Sequence, residues 1–385
     1  MQRRQLLRAG SATLAGTLPA AHALDFAAPA APAAMRVSVD RIVDIAVGIR
    51  PFRAQGPRIE AQHLFGKRVI HHYGHGGSGW SLSWGSAQRA LALIQAQARP
   101  GERIAVIGAG AIGLTTARTA QLAGFPVRIY TRDRPPNVHS SAATGLWTPD
   151  SRIATDAHAT HTWQADWEAM ARAAFKAHQG FLGLPSSPVE WHDGYVVTDD
   201  GQDAPLPAAL GEPDYPDLAD RIADLRPRGR PLAASEHPFQ HAQARRFTQL
   251  VFNIPAYQRL LLDDFARDRG ELIQRELRTP RDFARLPERV IVNCTGIGAR
   301  ALMGDDSLTP VRGQTARLVP QPEVDYAVIY RGRNVLALPR RDGLLVAAMG
   351  EHDFGNADLR PDRAHSEAAV QRLAALFDAR RDAAG

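Results

Sequence analysis

The chain of 385 residues has a single cysteine, Cys294, so no intrachain disulfide can staple it. Beyond the first residues no apolar run approaches the roughly 20 residues needed to cross a bilayer. Charge of one sign is never massed: 46 Lys+Arg face 40 Asp+Glu, a formal +6, and the arginines are scattered. That dispersal argues against a nucleic-acid groove and for small anionic ligands such as a phosphate or a carboxylate. His71, His72 and His75 lack carboxylates or thiols at ligand spacing, so no metal site is expected. No internal repeat is present, and 44% hydrophobic content is enough for one large core or two smaller ones.

What is present begins with an address. Arg3-Arg4, a weakly apolar run from Ala9 to Leu18 and Ala21-His22-Ala23 resemble a twin-arginine export signal cut after Ala23. An ordinary secretory signal and a basic tail are the alternatives. The twin-arginine route carries folded proteins, so the expected partner is the export machinery and the expected destination the periplasm. Residues 24–34 read as an Ala/Pro linker.

Apolar periodicity predicts strands over Val37–Ile49, Lys67–His72, Ile104–Ile107, Val127–Tyr130, Tyr195–Thr198, Glu271–Gln274 and Val290–Asn293. It predicts helices over Gly85–Ala98, Ile112–Ala123, Trp163–His178, Pro255–Arg269 and Arg363–Arg381, with Pro-rich surface excursions over 204–238. The order strand, helix, strand around residue 110 implies a parallel sheet. Cys294, in a run that reads as a buried strand entering a turn, is expected to be packing.

Gly108-Ala109-Gly110-Ala111-Ile112-Gly113 is a G-x-G-x-x-G between a strand and a helix. Its glycines suit a tight turn, close approach of a pyrophosphate and close helix packing, and the free N–H groups at Ile112 and its neighbours face the phosphates. The motif serves NAD or FAD equally. Asp133, twenty residues past Gly113 and next to Arg132, is placed either to bind the ribose or to form a surface ion pair.

Four further segments carry a family resemblance. Ser140-Ser141-Ala142-Ala143-Thr144-Gly145-Leu146-Trp147 resembles the flavin-side loop of the D-amino-acid oxidase and D-aspartate oxidase family. Asn293-Cys294-Thr295-Gly296, continued by Pro310–Gln314, is similar to the strand and return loop on the adenosine side of that family's FAD. Val47-Gly48-Ile49-Arg50-Pro51-Phe52-Arg53 resembles the segment whose first Arg grips the substrate carboxylate. His72–Gly85, with Gly76, Gly77, Gly79, Trp80 and Ser81, resembles the glycine loop and helix start under the isoalloxazine.

The resemblance implies an FAD-dependent oxidase of D-amino acids that passes electrons to O2. It implies an α/β fold with a Rossmann-like FAD-binding domain on a parallel sheet and an interleaved mixed-sheet substrate domain. Arg50 would clamp the carboxylate, the Gly77 carbonyl would receive the substrate amine, and Ser81 would bond flavin O2. The family's supporting tyrosine is replaced by Leu336, and the second tyrosine position is Gly332; Tyr330, Arg331 and Arg333 stand nearby as compensators. A dehydrogenase using a respiratory acceptor and a flavin-binding protein without turnover are the competing readings.

In the family the last two segments follow the C-terminal helix, whereas here they precede the dinucleotide strand. This order implies a circular permutation, with the old ends joined through Arg99–Glu102. The segments then divide as substrate domain 35–66, FAD-binding 67–150, mainly substrate domain 151–248, mainly FAD-binding 249–314, and substrate domain with the last helix 315–385. Exchange of residues 36–98 across a homodimer is the competing account, which the short join disfavours.

Overall fold

The computed structural model describes residues 32–199, 208–233, 236, 237, 239 and 242–378. The export signal, linker residues 24–31 and the end of the final helix beyond 378 lie outside the described residues. The strands are β1 (Ile42–Arg53), β2 (Arg58–Leu64), β3 (Lys67–Tyr73), β4 (Ile104–Ile107), β5 (Val127–Thr131), β6 (Val189–Asp199), β7 (Arg230–Leu232), β8 (Ala242–Phe252), β9 (Glu271–Gln274), β10 (Val290–Asn293), β11 (Leu308–Leu318), β12 (Tyr326–Tyr330), β13 (Val335–Arg340) and β14 (Gly343–Ala347). The α-helices are α1 (Gly79–Gln97), α2 (Ala111–Leu122), α3 (His161–Gln179), α4 (Ile254–Arg267), α5 (Gly298–Met303) and α6 (Arg363–Asp378).

These strands make two sheets. One runs β2-β3-β10-β4-β5-β9, parallel from β3 to β9 with β2 antiparallel at its edge. Parallel strands are covered on both faces, and β4 shows it: all four of its residues are buried. Ile104 and Val106 face the core beneath α1 and α2, while Ala105 and Ile107 face Phe283, Leu286 and Leu302. The other sheet runs β1-β11-β14-β13-β12-β6-β8-β7 and is mixed, since β12 and β6 are parallel. Val370 and Leu373 of α6 cover one of its faces, with Val328, Ala337 and Val346 beneath.

Several expectations shift. Strand β1 starts at Ile42, because Val39–Arg41 forms a 3-10 turn and the apolar residues Met35, Val37 and Val39 pack with α6 instead of alternating across a sheet. Helix α1 starts at Gly79, six residues before the expected Gly85. Its first turns, Trp80 to Ala87, are buried on every side, so they carry no amphipathic period for a sequence reading to detect. The segment 35–66 belongs to both sheets: β1 pairs with β11, but β2 pairs with β3. Within 204–238, the described residues are not all surface: Leu218 and Ile222 are buried, and residues 209–215 fold back toward β1.

Candidate active site

Strands β3, β4, β5 and β10 all end at one edge of the parallel sheet, the position at which such sheets bind ligands. Their exits carry Gly74–Gly79, Gly108–Ile112, Arg132–Asp133 and Thr295–Gly296, and these line one cavity of roughly 570 Å³. Arg275–Arg278, which follows β9, closes the end beside Arg132; the sequence reading missed this segment because it has no motif. Arg50, Gly77, Ser151 and Gly313 close the opposite end.

The dinucleotide turn is built as its spacing implies. Gly113 stands behind the turn, outside the cavity lining: a Cβ there would lie 2.0 Å from the Gly108 carbonyl oxygen, so only glycine lets α2 seat on β4. At Gly110, by contrast, a Cβ would meet only Ser140 Oγ at 3.4 Å, which leaves this side open to a ligand. Arg132 and Asp133 both line the cavity and also pair, Nε to Oδ2 at 2.7 Å. Asp133 thus forms the ion pair, and it does so at the cavity wall.

The flavin-side loop is fixed from three directions. Ser140 Oγ accepts from Ala111 N at 3.0 Å, and Trp80 Nε1 donates to the Ser140 carbonyl at 2.9 Å. Arg340 Nη1 donates to the Ala143 carbonyl at 3.0 Å. Gly145 and Leu146 continue the lining, with the Phe252 amide donating to Gly145 O at 2.7 Å. Ser141 is a correction: in the tight 3-10 turn His139–Ala142 its side chain points away from the cavity, donating to Oε1 of the buried Gln258 at 3.0 Å, and does not line the cavity.

The glycine loop leans on residues 151 and 152. Gly77 N–H donates to Ser151 O at 2.9 Å, as does Ser78 Oγ. A Cβ at Gly76 (φ +53) would lie 1.8 Å from Arg152 O, and one at Gly77 2.3 Å from Ser151 Oγ. Gly79 opens α1 with nothing within contact distance of its Cα side. Ser81 lines the cavity, and its Oγ already accepts from Thr148 N at 2.8 Å, leaving its hydroxyl hydrogen to donate. Thr295 Oγ1 donates to Asn293 Oδ1 at 2.7 Å, which leaves the Gly296 turn (φ +57) at the cavity wall. Cys294 is buried against Thr116, and burial pushes its thiol up to about 12, so it is an inert packing group there.

Arg50 sits on β1 opposite Val311, and its Nη1 donates to the Arg312 carbonyl at 2.9 Å. Burial and then the neighbouring Arg152 charge lower its pKa to about 10, so it remains a cation at neutral pH. Among the described residues no carboxylate lies within ion-pair distance of it. Residues 310–314, expected at the adenosine side, form part of β11 beside β1, so that Gly313 flanks the Arg50 guanidinium instead. Leu336 is a second correction: held on β13 between Ile329 and Ala347, it does not line the cavity. Nor do the expected compensators. Arg333 pairs with Asp199 at 2.9 Å, Tyr330 donates to the same carboxylate, and Arg331 is fastened through its N–H to Val197 O.

The family described as FAD dependent oxidoreductase (DAO) matches residues 103–384. The D-amino-acid oxidase of Rubrobacter xylanophilus is 27% identical over 277 residues, covering 71% of this chain and 77% of that protein. The D-amino-acid oxidase of Streptomyces coelicolor is 29% identical over 284 residues, covering 72% and 78%. Human D-aspartate oxidase is 26% identical over 287 residues, covering 71% and 75%.

The cavity fits the cofactor of this family. It offers the glycine turn for a pyrophosphate, a Ser81 hydroxyl at a helix start, and His75, both of whose ring nitrogens are buried in the lining without a partner among the described residues. The chain belongs to the FAD dependent oxidoreductase family, and its cofactor is FAD.

Proposed function

We propose that the protein oxidises a D-amino acid to its imino acid, which hydrolyses to the 2-oxo acid, with the electrons passing to O2 to give H2O2. The observation that carries this reading is Arg50, a cation at the end of the cofactor cavity that no carboxylate of the described chain neutralises. The names of the relatives, oxidases of D-amino acids and D-aspartate, supply the substrate class. Bound FAD supplies the hydride acceptor and the route to oxygen. The chain's own part is placement. Arg50 offers a planar fork that fixes both the position and the rotation of a carboxylate. The Gly77 carbonyl offers an acceptor for the amine at the same end. Little acid–base machinery is needed, because orientation of the Cα–H supplies much of the rate.

The test is peroxide release across D-, L- and N-substituted amino acids. D-amino acids should reduce the flavin and yield peroxide in step with oxygen consumed. Flavin reduction without peroxide would make the protein a dehydrogenase, and no reduction by any amine would end both readings. The same assay on fractionated cells tests the proposed export, since activity should accompany the periplasmic fraction.

The reordered chain is proposed to be a circular permutation. Three observations support it: the family match begins at residue 103, a turn closed by Glu102 N–H to Arg99 O at 3.0 Å joins α1 to β4, and Met35 packs in the same core as α6. A chain restarted at Gly101 and closed by a short linker from residue 381 to Arg36 should bind FAD and melt within a few degrees of the parent. Loss of FAD binding with the parent intact would remove the proposal.

A further inference from the structure

Behind the substrate end of the cavity, outside its lining, lies a segment that no motif announced. Residues 209–215 are held there by Leu210 N–H to Glu351 O at 2.7 Å and by Asp156 N–H to Asp214 O at 3.0 Å. Within this segment Glu212 is buried, with 2% of its side chain exposed, and receives Arg152 Nε at 2.5 Å, Tyr215 OH at 2.9 Å and Ala209 N–H at 2.8 Å. Tyr215 stands edge-on to Phe52 at 5.7 Å, two residues along β1 from Arg50, and lies 5.9 Å under the Arg152 guanidinium. Arg152 is itself the residue whose backbone abuts Gly76, directly behind the Ser151 wall.

The charges at this end close to a simple balance. Arg312 lies 3.6 Å from Asp353, both of them buried. Arg152 pairs with Glu212. Arg50 is the third guanidinium, bonded to the Arg312 carbonyl but with no carboxylate at ion-pair distance among the described residues, so one further negative charge balances the set. Although burial pushes the Glu212 carboxyl up, Arg152, the Ala209 N–H and Tyr215 together bring it below its usual range, and it is ionised at neutral pH.

We propose that Glu212 determines side-chain specificity: by occupying Arg152 it leaves the site matched to a single carboxylate, so the preferred substrate carries an uncharged side chain. The proposal rests on the carboxylate clamp at Arg50. A substrate with a second carboxylate would have to displace Glu212 from Arg152 or sit beside it, and like charges that close inside a protein repel strongly. Removing the Glu212 charge frees Arg152 as a second cationic docking group, and specificity should invert.

The experiment uses the FAD-loaded protein and the perturbation of its flavin absorbance by propionate and by succinate, with kcat/KM for D-alanine and D-aspartate measured beside it. The unaltered protein should bind propionate more tightly than succinate by about tenfold or more, and favour D-alanine similarly. Glu212→Gln should shift both ratios toward the dicarboxylate by about tenfold or more. The double replacement Glu212→Gln with Arg152→Gln, which restores the charge balance with a neutral pair, should return them toward the parent values. FAD content and melting temperature report folding of each variant. Tighter succinate binding by the unaltered protein overturns the proposal without any variant. Propionate binding with ratios that do not move in Glu212→Gln overturns this proposal alone. Failure of both acids to bind the unaltered protein overturns the clamp and this proposal together.

Discussion

Replacing Arg50 by alanine should raise KM for the amino acid by about a hundredfold or more while leaving FAD content and the flavin spectrum unchanged. The size follows from what the guanidinium does. It is a desolvated cation at the cavity end, and truncating one partner of a buried, hydrogen-bonded charge pair costs about 2–5 kcal/mol. Cofactor binding should be spared because the groups that line the pyrophosphate region, Gly108 to Ile112, follow β4, a strand of the other sheet from β1. Arg50→Lys keeps the charge but loses the fork, so it should recover only part of the affinity. KM reports binding only when chemistry is slow, so propionate affinity should be measured beside it and should fall by a similar factor. An unchanged KM and an unchanged propionate affinity would remove Arg50 from the substrate site.

The dinucleotide turn was legible in the sequence because each glycine answers a local steric demand, and local demands survive in a one-dimensional string. The carboxylate clamp was legible only through resemblance, since nothing about Arg50 itself separates it from other arginines of the chain. What could not be read was anything assembled by distant backbone. Arg152 and Glu212 are 60 residues apart, and neither sits in a motif. The Pro-rich character of 204–238 pointed to surface excursions, whereas the structure buries Leu218 and Ile222 and packs Tyr215 against Phe52 of β1. Leu336 shows the opposite limit: the loss of a family tyrosine was visible, but the search for its replacement went to neighbours in sequence. Arg333 and Tyr330 are turned to Asp199, and a phenol that packs on Arg50's strand is Tyr215, brought in from more than a hundred residues before Leu336.

Stability should fall steeply as pH drops from about 6.5 toward 4, and stay nearly flat from pH 7 to 9. Five histidines are held down in the folded chain, His139 among them through burial and then the Arg132 charge. Burial lowers His75 to about 3 and His178 to about 4; burial and then Arg58 lower His71 to about 4; burial and then His75 hold His72 well down. In the unfolded chain each returns to about 6.5. Between these values the unfolded state binds more protons than the folded one, so stability rises with pH and is lost on acidification. Each histidine contributes a slope of up to about 1.4 kcal/mol per pH unit. The carboxyls that ion pairs hold low against burial, such as Glu190 and Asp342, act below about pH 4.5, and Asp150, which burial pushes up, runs opposite to the histidines. Urea midpoints of the FAD-loaded protein at half-unit pH intervals give the slope. His178 offers the sharpest check, because it lies outside the cofactor cavity, its ring bonded to Tyr257 OH and the Ser81 carbonyl. His178→Gln should lower the slope between pH 6.5 and 4.5 by up to about 1.4 kcal/mol per pH unit. A midpoint that holds steady from pH 7 to 5 would mean that these buried rings gain protons in the folded state, and would overturn the prediction.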